Sequence, residues 1–264
     1  MTEPADQRSG SPPDETAQDC PLGQRDQNIN ALIFALQISL IYLSAPTLYV
    51  GFVQAGLCKH LQTSDTLANL PSTVFLGMAW SPLVVVWLYP QARLLKAAMA
   101  WAFGAAAVMS VVLAALLVAR PSGGIIIAAL LAHAAVVGCV GPLTNILKWE
   151  ALNRGVSLRL RGKALALAYG VGPAFAVVGS LGAQLLLDGK LFGWTPPAAL
   201  TVGYPDNYAM LFGVSAVCMG LAGFLTRCYR IPLPAVDSER ESFQTAVIGG
   251  FRSFARNRVL LYAC

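Results

Sequence analysis

The sequence predicts an all-α integral membrane protein with six transmembrane helices and a cytoplasmic N-terminus. Three observations carry that prediction. First, 56% of the 264 residues are hydrophobic and only 12% are charged, whereas a soluble domain carries about 25% charged residues. So few charges cannot cover a water-facing surface. Second, six stretches reach the roughly 20 mostly apolar residues that a helix needs to cross the hydrocarbon layer. They are too long for barrel strands and lack the alternation of lipid-facing and lumen-facing residues, and in lipid only helices or closed barrels satisfy the backbone. Third, Lys and Arg crowd into the tail and every second connection, the pattern that keeps those segments in the cytosol.

Residues 1–28 form a polar tail with six acids against Arg8 and Arg25. It lacks the basic start and small-residue cleavage site of a signal peptide and reads as a disordered cytoplasmic segment. The helices follow at 29–53, 69–90, 96–119, 124–147, 163–187 and 207–226, which places a six-helix bundle at 29–226. The tail, the 2–3 loop, the 4–5 loop and the segment after helix 6 carry 2, 2, 5 and 6 Lys or Arg. The other three loops carry one each, Lys59, Arg120 and Lys190. The five in the 4–5 loop (Lys148, Arg154, Arg159, Arg161, Lys163) are read as holding that loop in the cytosol. Residues 227–257 form a cytoplasmic linker. Within it Phe243, Val247, Phe251 and Phe254 share a face, so it is either an amphipathic helix on the membrane surface or a short disordered connection. Residues 258–264, RVLLYAC, look like the start of a seventh helix, cut off.

Composition also narrows the chemistry. Basic patches interleaved with aromatics are absent, so no nucleic acid is expected. The six cysteines form no CxxC or zinc spacing, and neither a metal nor a cofactor is implied. No HExxH, aspartate-rich motif or Ser–His arrangement appears, and no P-loop. The chain is not expected to be an enzyme or an ATP-driven pump.

Six helices, an N-in topology, a long basic cytoplasmic segment and the start of a seventh helix together resemble the N-terminal half of a major facilitator superfamily transporter, over about 29–264. That family is built from two six-helix halves, each a pair of inverted three-helix repeats. In the 2–3 loop, YPQARLLKAAM, Arg93 and Lys96 match the basic part of the family's motif, while its glycine and aspartate are missing. Arg161–Gly162 in the 4–5 loop looks like the repeat of that motif. The GVGP run at 170–173 is similar to the Gly-Pro element of helix 5 in some exporters, without the glycines that follow it there. Trp80-Ser81-Pro82-Leu83 is similar to a short run in the muropeptide and acyl-CoA permease branch, without its aspartate.

The resemblance implies a secondary transporter that moves a small solute by alternating access. The alternative is a non-transporting multi-pass scaffold or assembly factor. It implies a cell membrane location, plasma or inner. Membrane lipids are expected partners, together with either a missing C-terminal half or a homodimer partner. It also implies that the first and fourth helices line a cavity. On helix 1, Gln37, Ser44 and Gly51 recur every seven residues and share a face. On helix 4, His133, Gly141 and Thr144 share roughly one face, at offsets of 8 and 11 residues. On helix 5, Tyr169, Pro173, Ser180 and Gln184 cluster on one side. Gln37, Ser44, His133, Thr144, Tyr169 and Gln184 are therefore cavity candidates, though interhelical hydrogen bonding is the competing role for each polar group. No acid or base lies clearly within a span, and His133 is the one interior side chain that titrates near neutrality. Pro46, Pro82 and Pro173 are hinge candidates, because proline removes a helix hydrogen bond.

Overall fold

The computed structural model describes residues 20–49, 51–88, 92–195, 197, 201–232, 248–249, 252 and 255–256. Most of the expected linker, the expected seventh helix and residues 1–19 of the tail lie outside the described residues. Among the described residues the protein is helical and has no strand. In chain order the helices are α1 Gln24–Leu43, α2 Ala45–Leu48, α3 Phe52–His60, α4 Asp65–Met78, α5 Ser81–Leu88, α6 Leu95–Ala119, α7 Gly123–Gly155, α8 Leu158–Asp188 and α9 Asp206–Thr226. Among the described residues five segments are long and apolar enough to cross a membrane: Asp65–Val85, α6, α7, α8 and α9.

The first expected helix differs from its sequence reading in two ways. It starts at Gln24, inside the expected tail, and it is broken into α1, α2 and α3. The break has a local cause. Pro46 sits in the first turn of α2, where a missing N–H costs nothing, but an uninterrupted helix through it would lose a backbone hydrogen bond. Gln54 repairs the second gap. Its side-chain amide donates to the Thr47 carbonyl at 2.6 Å and accepts from the Gly51 N–H at 3.0 Å. Pro82 lies in the first turn of α5, again at a break. Pro142 and Pro173, in contrast, lie inside continuous α7 and α8.

α7 runs eight residues beyond the expected end of helix 4. Five of the seven residues in KWEALNR are strong helix formers, and Glu150 pairs with Arg154 one turn on. Arg161 closes the end. Its guanidinium donates to the Asn153 carbonyl at 2.7 Å and the Val156 carbonyl at 2.9 Å, satisfying groups that a helix terminus leaves open. The expected 4–5 loop therefore shrinks to the corner between Gly155 and Leu158.

The packing follows a scheme. Take α1–α3 as one segment and α4–α5 as a second. The most extensive pairings are then α6 with α9, α1 with α8, α6 with α7, α4 with α7 and α1 with α9. Exchanging the first three segments for the last three maps this set onto itself. Two of the contacts rest on glycine. A methyl at Gly138 of α7 would run into the Phe75 backbone of α4, and one at Gly179 of α8 would run into the Leu43 carbonyl of α1. Small residues that let backbones approach are the usual device of membrane helix pairs.

The bundle has two distinct ends. At one, Asn30 of α1 donates to the Gly155 carbonyl at 2.9 Å and accepts from the Arg230 N–H at 2.9 Å. Lys96 donates there to the Tyr229 carbonyl at 2.8 Å. At the other, Arg120 pairs with Asp206 at 3.1 Å, and His60 of α3 stacks on Tyr204. The segment from α1 to α3 thus runs from one end of the bundle to the other.

Candidate functional site

A cavity of about 450 Å³ opens inside the bundle toward the first of these ends. That volume lies in the range of small-molecule sites, roughly 300–1,000 Å³. α1 supplies Ile38 and Tyr42, and the broken stretch after it supplies Leu48 and Tyr49. α7 supplies Gly141, Thr144, Asn145 and Lys148, while Phe75, Phe103, Tyr169 and Met219 close other sides. Irregular backbone at membrane depth is tolerated where it is buried in protein or lines a cavity, and the α2 region meets that condition.

Lys148 is the unexpected member. The sequence reading put it in a cytosolic loop. In the fold it is on α7, 3% exposed, and faces the cavity. Its ammonium has no hydrogen bond or ion pair among the described residues. The acid nearest in sequence, Glu150, is engaged with Arg154, and among the described residues no acid lines the cavity. Burying an unpaired ammonium costs several kcal/mol. The sequence does carry a signal for it. Gly141, Thr144, Asn145 and Lys148 follow the 0, 3, 4, 7 spacing of one helical face, provided the helix is continued past 147 to the Ser157 corner.

The expected cavity residues separate into two groups. Thr144 and Tyr169 line the cavity, with the Thr144 hydroxyl donating to the Gly141 carbonyl at 2.8 Å. The structure places Gln37, Ser44, His133 and Gln184 elsewhere. Gln37 is fully buried where α1 meets α9. Its amide donates to the Ala222 carbonyl at 2.8 Å and to the Thr226 hydroxyl at 3.0 Å, and accepts from the Tyr229 hydroxyl at 3.1 Å. Burial pushes the Tyr229 phenol up, so it stays a neutral donor. His133 is buried between helices, 3.2 Å from the Ser110 hydroxyl of α6 and edge-on to Phe212 of α9. Its Nδ1 and the Ser44 hydroxyl are buried without partners among the described residues. Gln184 is on the exposed side of α8.

The basic-loop residues sit at the end shared by the N-terminus of α1. Arg93 is exposed in a short turn before α6, Lys96 binds the segment after α9, and Arg161 caps α7. Gly162 faces open space. Among the described residues no group of three His, Cys, Asp or Glu could hold a metal ion.

The helices and their apolar surfaces define a multi-pass helical membrane protein. No family model, curated protein or solved structure matches the chain.

Proposed function

We propose that the chain is a six-helix unit of a secondary transporter of the major facilitator type, moving a small solute by alternating access. The observation that carries this reading is the packing scheme, which is unchanged when the first three segments are exchanged for the last three. If α1–α3 counts as a sixth crossing, each set crosses the bilayer three times and the second set is inverted relative to the first. Inverted three-helix repeats are the ground plan of such halves. The cavity lies between the broken first segment and the fourth, where that plan puts substrate.

The orientation follows from charge. The tail, the corner at 156–157 and the segment after α9 meet at one end, the end that bears most of the Lys and Arg, so that end is assigned to the cytosol. The cell membrane, plasma or inner, is the proposed location. Tyr49 and Tyr169 line the cavity yet are 57% and 42% exposed, so its side is open. A second six-helix unit, supplied as a C-terminal half or by a second copy of the chain, would close it.

Flux measurements test this. Membrane vesicles from cells expressing the protein are compared with vesicles from cells lacking it, across labelled organic anions, cations, sugars and amino acids. Saturable, protein-dependent flux of one class is expected. Its absence for every class would favour a scaffold or assembly factor, a reading that the missing glycine and aspartate of the 2–3 loop also suit.

A further inference from the structure

The geometry points to an organic anion as the ligand of the cavity, its acidic group on Lys148 and its body against the tyrosines. The inference names the substrate class of the proposed transport site, and so rests on the transporter reading.

Lys148 is the starting point. At 3% exposure it is not a lysine that snorkels to water, which would leave its head exposed. Centred on the bilayer, α7 would put its Cα about 13 Å from the midplane at 1.5 Å per residue, near the edge of the hydrocarbon. A buried cation in a membrane bundle faces a partner or a pathway. Among the described residues it has no protein partner, and no acid lines the cavity that it faces. The cavity therefore presents a basic amine with no acid beside it among the described residues, and an anion would supply the counter-charge that holds this amine in its protonated form.

The rest of the wall narrows the class. Asn145, one turn from Lys148, offers an amide donor. The Thr144 hydroxyl donates to the Gly141 carbonyl, which leaves its lone pairs free to accept. Two donor groups at one end suit a single carboxylate, sulfonate or phosphate group rather than a polyanion. Tyr42, Tyr49, Phe75 and Phe103 add aromatic surface to a remainder that is otherwise aliphatic, with Ile38, Leu48, Val140 and Met219 among its side chains. That suits an apolar or aromatic body, since aromatic pairs add to area burial.

The test uses the whole chain in phosphatidylcholine nanodiscs. The probes are 1-naphthoate, 1-naphthalenesulfonate and the neutral 1-naphthamide, and thermal unfolding is the readout. Both anions should raise the melting temperature by a few degrees through mass action, and the amide should not. Lys148→Met should weaken naphthoate binding about tenfold or more, the scale of a lost charged hydrogen bond, while Lys148→Arg should retain most of it. If Lys148→Met does not fold, Asn145→Leu carries the test, with a several-fold loss expected.

Equal shifts from the amide and the acid, naphthoate binding that survives Lys148→Met, or no shift from either anion would each overturn the inference. A parallel arm adds phosphatidylglycerol. If only that lipid stabilises the protein, and only when Lys148 is present, the anion is a headgroup and the inference for a free solute falls. Anion binding without protein-dependent flux would sink the transporter reading alone. Flux of neutral or cationic solutes only, unchanged by Lys148→Met, would sink the anion inference alone.

Discussion

His133 and Lys148 lie fifteen residues apart on α7, about four turns of one helix, and both are buried. Around His133 the bundle is closed. Ser110 meets the ring from α6, Phe212 packs on it from α9, and one turn further on Gly138 lies against the α4 backbone. Around Lys148 the bundle is open, and the ammonium looks into a cavity. The same helix therefore uses one buried titratable residue within its packing and leaves the other without a partner among the described residues. What separates them is not hydropathy or burial but what the neighbouring helices bring to that face.

The largest expected effect lies where the packed half is tightest. Gly138 and Gly141 are one turn apart, yet a side chain at 138 would run into Phe75 while one at 141 meets nothing within 4 Å. Gly138→Val should cost about 3 kcal/mol or more, the upper end of overpacking because backbone must move, and yield aggregated protein on detergent extraction. Gly141→Val should stay within about 1 kcal/mol and remain monodisperse by size-exclusion chromatography. Equal behaviour of the two would erase the distinction between the halves.

The next contrast is one of sign. His133→Ala removes a ring from a filled space and should destabilise by about 2–3 kcal/mol, with no change in the response to anions. Lys148→Met removes an unpaired buried charge and keeps the stem, so it should stabilise the unliganded protein by about 1–2 kcal/mol. Thermal melts of the two variants in nanodiscs check both values. A destabilised Lys148→Met would mean that the ammonium already has a protein partner.

This contrast also shows what could be read in advance. The helical membrane class was legible because apolar runs of this length admit one solution in lipid. Gln37, Ser44 and His133 were identifiable as polar groups within apolar runs, but their surroundings were not. Tyr229 and Thr226 reach Gln37 across nearly 190 residues of sequence, and no periodicity within one helix reports that. Lys148 was missed for a different reason. A charge after an apolar run reads as the end of a span, whereas the helix formers after it carry α7 on to Gly155. The break in the first segment was half visible, as Pro46 marks its place. The repair by Gln54 depends on how the chain turns after it.

The smallest expected effect concerns Gly162, the glycine of the Arg161–Gly162 pair. Arg161 has a structural task at the end of α7. Gly162 has none that its surroundings reveal, because a methyl there meets nothing within 4 Å. It sits in the second turn of α8, where glycine costs about 0.5–1 kcal/mol relative to alanine. Gly162→Ala should therefore leave the fold intact and raise stability by a few tenths to about 1 kcal/mol in a thermal melt. Flux measured on the same variant then separates two roles. Unchanged flux would make the glycine incidental. Lower flux from a more stable protein would mean that Gly162 is needed in a second conformation, where another helix approaches the face that is open here. That result would extend the contrast along α7 to α8, since an open face can serve either a ligand or a moving neighbour.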